Sequence, residues 1–259
     1  MPTLGGSIFV RNAIKYDYCI RESIASLAAL CDEVFILDCQ SDDGTTEMLD
    51  DYVKAFPHVR YYKNGNWNCA DTYRKLAMLA NDCINALATD WHIMLQADEV
   101  IHEDSFPMIR QLVNANQNRN YAVRRLNLFG DVDHHIRFDL DQKPCSDQPI
   151  RLAMRHVQAM GDAESLDWGH YNGSHINDIL IYHYGYVRHD KMNIDKAVDM
   201  QGWFNGANSS VDGRILEMQK TGIWEPYKLM DESKVTPIPK PHPMFSKAWA
   251  DERRKPCGI

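Results

Sequence analysis

Long apolar runs are absent: no window approaches the roughly 18 consecutive apolar residues that a membrane-spanning helix needs. The N-terminus, Met-Pro-Thr-Leu-Gly-Gly-Ser, lacks the cationic lead and apolar stretch of a secretory signal. Cysteine pairs are absent too. The seven cysteines, at 19, 31, 39, 69, 83, 145 and 257, are odd in number, widely spread and without a C-x-x-C, which is neither a disulfide framework nor a zinc-ribbon pattern and predicts reduced thiols in a cytoplasmic protein. Basic excess is also missing: 28 Lys and Arg against 36 Asp and Glu give a formal charge of −8, which argues against a broad nucleic-acid footprint while leaving room for a local basic groove. No Gly-x-Gly-x-x-Gly follows the first apolar run and no Walker sequence occurs, so a dinucleotide dehydrogenase or P-loop enzyme is not expected. There is no internal repeat.

What is present is the composition of an ordinary globular protein, 44% hydrophobic and 25% charged over 259 residues. Apolar runs predict strands at 7–10, 34–37, 59–62 and 91–95, and periodic patterns predict helices at 19–30, 45–56, 72–88 and 104–113. Such alternation implies a parallel sheet covered on both faces. Residues 121–129, 150–156 and 179–187 read as further strands, 190–204 as a helix, and 130–149 as a long functional loop or a small irregular insertion. Beyond Trp224 the prolines at 226, 237, 239, 241 and 243 predict a tail without long regular elements, either packed on the body or partly mobile.

Two of the predicted strands end in acids. The strand over 34–37 stops at Asp38, and Ser41, Asp42, Asp43 and Gly44 follow before Thr45 opens a helix; the strand over 91–95 runs into Gln96-Ala97-Asp98-Glu99. Parallel strands present their C-terminal ends on one edge, where ligands collect. Carboxylates repel a phosphorylated ligand unless a divalent cation stands between them, and Mg²⁺ or Mn²⁺ shared by carboxylates and substrate phosphates is a common solution. Other carboxylates can accept hydrogen bonds from a sugar or base, so a nucleotide-sugar suits the pattern better than a free nucleotide or a free sugar.

The ordered set Ser7-Ile-Phe-Val-Arg11-Asn12, Ile20-x-Glu22-Ser23-Ile24-x-Ser26-Leu27, Asp32-Glu33-Val34 through Ser41-Asp42-Asp43-Gly44-Thr45, and Asp90-Trp91 through Gln96-Ala97-Asp98-Glu99 resembles glycosyltransferase family 2. The likeness covers residues 6 to 103, and more faintly 148–155 and His183-Tyr184-Gly185. It implies an α/β GT-A fold: a Rossmann-like, mainly parallel central sheet with helices on both faces, plus an irregular acceptor-side segment and a C-terminal tail. It also implies one domain over 1–225, with a nucleotide-sugar half (1–115) and an acceptor half (116–225), followed by a proline-rich tail over 226–259. The implied activity is inverting transfer from a nucleoside-diphosphate sugar, a UDP-sugar above all, to a hydroxyl acceptor, assisted by Mn²⁺ or Mg²⁺.

The resemblance places the nucleoside on Asp38 and Asp43, with Arg11 in the substrate-binding set. The family's Asp-x-Asp metal motif falls on Gln96-Ala97-Asp98, so Asp98 is the expected metal ligand, and Gln96, which stands where an aspartate is usual, is expected in the substrate-binding set, hydrogen-bonding ribose or sugar. His183 is the second expected metal or diphosphate ligand, with His189 its competitor, and Arg188 and Lys191 are expected near the diphosphate. Glu164, ahead of Asp162, is the expected base. The acceptor stays open among a saccharide, a protein, a small molecule and a modified nucleic-acid base.

Plainer readings compete. Residues 41–45 have the composition of a simple turn, Asp98 and Glu99 could cap the next helix, and His183 could be a satisfied histidine between tyrosines. His134 and His135 fit a solvated loop better than a metal site. Trp168, Tyr171, Trp203 and Phe204 fit a core better than sugar platforms. A nucleotidyltransferase is the rival enzyme, although Arg11-Asn12-Ala13-Ile14-Lys15 is not a glycine-rich loop, and Gln96 keeps an inactive nucleotide-sugar-binding module in play.

Overall fold

The computed structural model describes residues 1–67, 74–136, 148–166, 174–205, 212–224 and 235–254, with the backbone alone for 202–205. The order is β1 (Leu4–Val10), α1 (Ile20–Leu30), β2 (Glu33–Asp38), α2 (Thr45–Tyr52), β3 (Val59–Tyr62), α3 (Lys75–Ala86), β4 (Trp91–Met94), β5 (Glu99–Ile101), α4 (Phe106–Ala115) and β6 (Tyr121–Phe129). There follow β7 (His134–Ile136), β8 (Ile150–Met154), β9 (Ala159–Met160), β10 (Ser165–Leu166), β11 (Ser174–Tyr186), α5 (Asp190–Asn205), α6 (Gly213–Thr221), β12 (Val235–Pro237) and α7 (Lys247–Arg253).

Ten strands form one sheet in the order β12-β7-β6-β8-β4-β1-β2-β3, with β11 bridging β5 and β6. The stretch β4-β1-β2-β3 is wholly parallel, while β8 runs antiparallel between β4 and β6. Alternation along β2 shows why both faces are covered. Val34 and Ile36 join the core built on Ile20, Ile24 and Leu27 of α1 and Leu49 of α2, whereas Phe35 and Leu37 meet Leu79 and Cys83 of α3. The i, i+4, i+7 spacing of Ile20, Ile24 and Leu27 is the apolar stripe that seats α1 on the sheet. This is the α/β GT-A architecture the family resemblance implies.

Several strands escaped the periodicity because they are too short to show one: β5, β7, β9, β10 and β12 have three residues or fewer. The segment read as a loop over 130–149 contains β7, and its residues 137–147 lie outside the described ones. Trp168 and Tyr171 also lie outside them. The tail is part of the body. β12 pairs antiparallel with β7, and Trp249 and Ala250 of α7 are buried with Tyr182, Tyr184 and Val187. Among the described residues no helix is long and apolar enough to cross a membrane. Cys19, Cys31, Cys39 and Cys83 are free and buried.

The tail buttresses β11 directly. Tyr184 Oη shares hydrogen bonds of 2.8 Å with His242 Nδ1 and Ser246 Oγ, Tyr182 Oη donates to the Lys240 carbonyl, and the Trp249 ring meets Tyr184 edge-on. Trp249→Ala is therefore expected to lower the unfolding free energy by about 3 kcal/mol in urea titrations, the cost of emptying a buried indole site. A change under 0.5 kcal/mol would show the tail to be a loose appendage.

Candidate active site

The two acidic strand ends share the C-terminal edge of the parallel sheet, with β1 between them: Val10 lies opposite Asp38, and Leu95 N–H donates to the Ser7 carbonyl. They are used differently. Asp38 is wholly buried, and its oxygens accept from Ser41 N–H and Oγ, Thr46 Oγ1 and Tyr61 Oη. Asp43 accepts from Lys15 N–H at 2.7 Å and Thr45 N–H at 3.0 Å, and Gly44 takes a φ of +94° at the head of α2. Asp42 accepts from Asn12 Nδ2 and pairs with Arg11, whose Nη1 also donates to the carbonyls of Cys39 and Gln40. The first acidic turn thus binds itself and the 11–15 loop together. Asp38 and Asp43 do not line the adjoining cavity; Arg11 does, with its guanidinium over the Trp67 ring.

That cavity, of about 330 Å³, collects Arg11, Gln96, Asp98, Asp162, Glu164 and His183 among the residues singled out from sequence. It adds Tyr18, Trp67, Tyr186, Asn193, Lys196 and Trp224, which sequence reasoning missed. The second acidic turn is tight: Gln96 N–H donates to Glu99 Oε2 and Glu99 N–H returns to the Gln96 carbonyl. Adjacent residues then diverge. Glu99 is fully buried and clamped by Arg151 at 2.5 Å and Arg125 at 3.2 Å, a structural ion cluster, while Asp98 turns to the cavity.

Asp98 is ringed by cations. Its Oδ2 is ion-paired with Arg188 and lies 3.7 Å from Lys196 Nζ, and its Oδ1 lies 3.6 Å from His183 Nε2. Burial alone would raise its carboxyl, but Lys196, Arg188 and His183 outweigh burial and hold it well below the usual carboxylate range. Burial, and then the Arg188 charge, push the Lys196 ammonium down to about 8 against the pull of Asp98. Tyr18 lies beneath both cations, 4.5 Å from Arg188 and 5.0 Å from Lys196.

His183 is set by register. It pairs with Asn127 on β6 and Glu99 on β5, and its Nδ1 meets Asn127 Oδ1 at 2.7 Å, which leaves Nε2 toward Asp98. A Cβ on Gly185 would stand 2.4 Å from His183 Nε2, so the imidazole occupies the space a side chain would need. His189 is exposed and does not line the cavity. Lys191 is also outside, with its side chain 81% exposed and paired to Asp195. Lys196 rather than Lys191 lines the cavity because Asn193, Lys196, Ala197 and Met200 form the cavity face of α5, and position 191 lies about 140° around the helix from 196.

Glu164 spans the two clusters, pairing with Arg125 at 2.7 Å and accepting from Gln96 Nε2 at 3.2 Å. Its side chain is 47% exposed, so burial raises its carboxyl only in part, and the Arg125 charge, followed by Arg151 and His183, brings it to about 2. A carboxylate held there is a weak base. Asp162, also on the cavity wall, accepts from Glu164 N–H at 3.3 Å.

A divalent cation fits this donor set poorly. Gln96 is neutral and turned to Glu164, and Asp98 already carries two side-chain cations. Among the described residues no three His, Cys, Asp or Glu side chains are placed to hold a metal, the adjacent His134 and His135 included.

The chain matches the family model described as "Glycosyl transferase family 2" over residues 10–148. It is similar in structure to S. aureus TarS 1–349 alone, in complex with UDP, and in complex with UDP-GlcNAc, at 11% identity in each case. The TM-scores are 0.47, 0.48 and 0.47, with 87%, 87% and 86% of this chain and 70%, 70% and 71% of theirs covered. No curated protein matches in sequence.

The Glu164 link carries a pH signature. Its folded pKa lies below its ordinary value of 4.5, so its stabilisation is complete above about 4.5 and is lost as pH falls toward about 2. In urea titrations the stability gap between the native protein and Glu164→Gln should narrow from pH 7 to pH 3; a constant gap would mean that the carboxylate is not ion-paired.

Proposed function

The chain belongs to glycosyltransferase family 2, and on that footing we propose that it is an inverting enzyme transferring a hexosyl or pentosyl group from a nucleoside-diphosphate sugar, foremost a UDP-sugar, to a hydroxyl acceptor. The observation that carries this reading is the cavity at the C-terminal edge of the parallel strands, where Asp98, His183 and Lys196 gather on one wall and Asp162 and Glu164 on another. A cationic wall suits a diphosphate and an acidic wall suits a hydroxyl about to lose its proton.

In this reading the nucleoside lies toward Arg11 and Trp67, with Asp38 and Asp43 acting through the loop they shape. The diphosphate meets Lys196 and His183, with Arg188 behind Asp98, and Gln96 faces the sugar. The acceptor oxygen attacks the anomeric carbon as its bond to the diphosphate breaks, so the configuration inverts. The acceptor proton passes to a carboxylate, and the nucleoside diphosphate leaves with the extra negative charge. We assign the base to Asp162, reversing the sequence-based preference for Glu164, because Arg125 holds Glu164 too acidic for the task. Family 2 enzymes commonly use a divalent cation, but the crowding of Asp98 by Arg188 and Lys196 does not support the expected Mn²⁺ or Mg²⁺. Buried free thiols accord with a reducing, cytoplasmic setting.

Incubation with UDP-, GDP- and dTDP-sugars should give donor hydrolysis with at least one of them; no binding and no hydrolysis with any would refute the assignment, and pyrophosphate release from a nucleoside triphosphate would favour a nucleotidyltransferase. Asp162→Asn should lower the transfer rate about 100-fold or more while leaving donor binding intact. If Glu164→Gln does this and Asp162→Asn does not, the base is Glu164.

A further inference from the structure

The disagreement between the donor set and a divalent cation points to another source of positive charge. We propose that Lys196, with Arg188 neutralising Asp98 behind it, provides the charge that meets the leaving diphosphate, so that donor binding and transfer need no divalent metal. This rests on the glycosyltransferase reading and deepens it.

Three observations carry the inference. First, a metal held through Asp98 would lie beside two cations, Gln96 offers only a neutral amide turned to Glu164, Glu164 is itself paired with Arg125, and among the described residues no three His, Cys, Asp or Glu side chains are placed to hold a metal. Like charges at such separations repel strongly where water is scarce. Second, the local charge is already right for a diphosphate: Arg188 and Lys196 against Asp98 leave a net charge of +1. Third, the two cations are divided in role. The Arg188 side chain has no exposed surface and is locked between Asp98 and the Tyr18 ring, whereas Lys196 lines the cavity with a quarter of its side chain exposed. Lys196 is therefore the cation a ligand touches, and Arg188 positions it by occupying the carboxylate that would otherwise hold it back.

The balance is that of the transfer above. As the anomeric carbon–oxygen bond breaks, its electron pair stays on the diphosphate oxygen, and the Lys196 ammonium lies against the charge that develops there.

Calorimetric titration of UDP into the full chain, once in EDTA and once in Mn²⁺, tests this. Affinities in the two buffers should agree within about twofold; Lys196→Met should weaken binding about tenfold or more in both, while Lys196→Arg retains most of it, the loss expected for one charged contact. Donor hydrolysis should likewise survive EDTA. Binding that appears only with Mn²⁺, or Lys196→Met that melts at the native temperature and binds UDP as tightly as the native protein, overturns the inference while leaving the glycosyltransferase assignment standing. Absence of UDP, GDP and dTDP binding in either buffer overturns both.

Discussion

A carboxylate buried to 4% exposure has to be neutralised, and much of this site follows from how Asp98 is. Two stretches 90 residues apart converge on it: the β4–β5 turn carries Asp98, while β11 brings His183, with Arg188 just beyond its end, and the α5 that follows brings Lys196. Removing one partner would leave an uncompensated buried charge, which is the costly way to break such a cluster. The same contacts that join these elements also give the cavity its positive wall.

The strand β11 links that wall to the rest of the body. Its alternation points His183 to the cavity and Tyr182 and Tyr184 to the opposite face, where the C-terminal segment packs. Beside it lies a second charge cluster, Glu99 with Arg125 and Arg151, from which Glu164 reaches Gln96 at the cavity. The acidic wall is thus tied to buried arginines and the cationic wall to a buried aspartate, each anchored in the sheet.

Much of this was legible in the sequence. The β1-to-β4 alternation and the shared edge of the two acidic ends followed from period and turn chemistry, and Asp98 and His183, singled out separately, lie 3.6 Å apart in one cavity. The residues that lie away from the cavity do so for physical causes. Asp38 has the residue type and place of a ligand-binding acid, yet Ser41, Thr46 and Tyr61 consume its lone pairs, and no one-dimensional pattern shows that. Lys191 and Lys196 differ only in helix face; the stripe Asn193, Lys196, Ala197, Met200, a lysine among small and apolar residues at i, i+3, i+4 and i+7, was the signal that could have separated them. Arg125 and Arg151 lie in strands whose apolar neighbours hid their pairing with Glu99. The tail holds only short elements, as its prolines imply, and of the two readings open for it, packed or partly mobile, β12 and α7 show the packed one.

The central claim is that the charge awaiting the donor's diphosphate belongs to the protein's own side chains. A crystal structure of the chain soaked with UDP in EDTA tests it most directly. The account predicts diphosphate density within hydrogen-bond distance of Lys196 Nζ, with the Asp98–Arg188 pair intact beside it. Diphosphate that binds only with Mn²⁺ bridging it to Asp98, with Lys196 and Arg188 displaced, would contradict it.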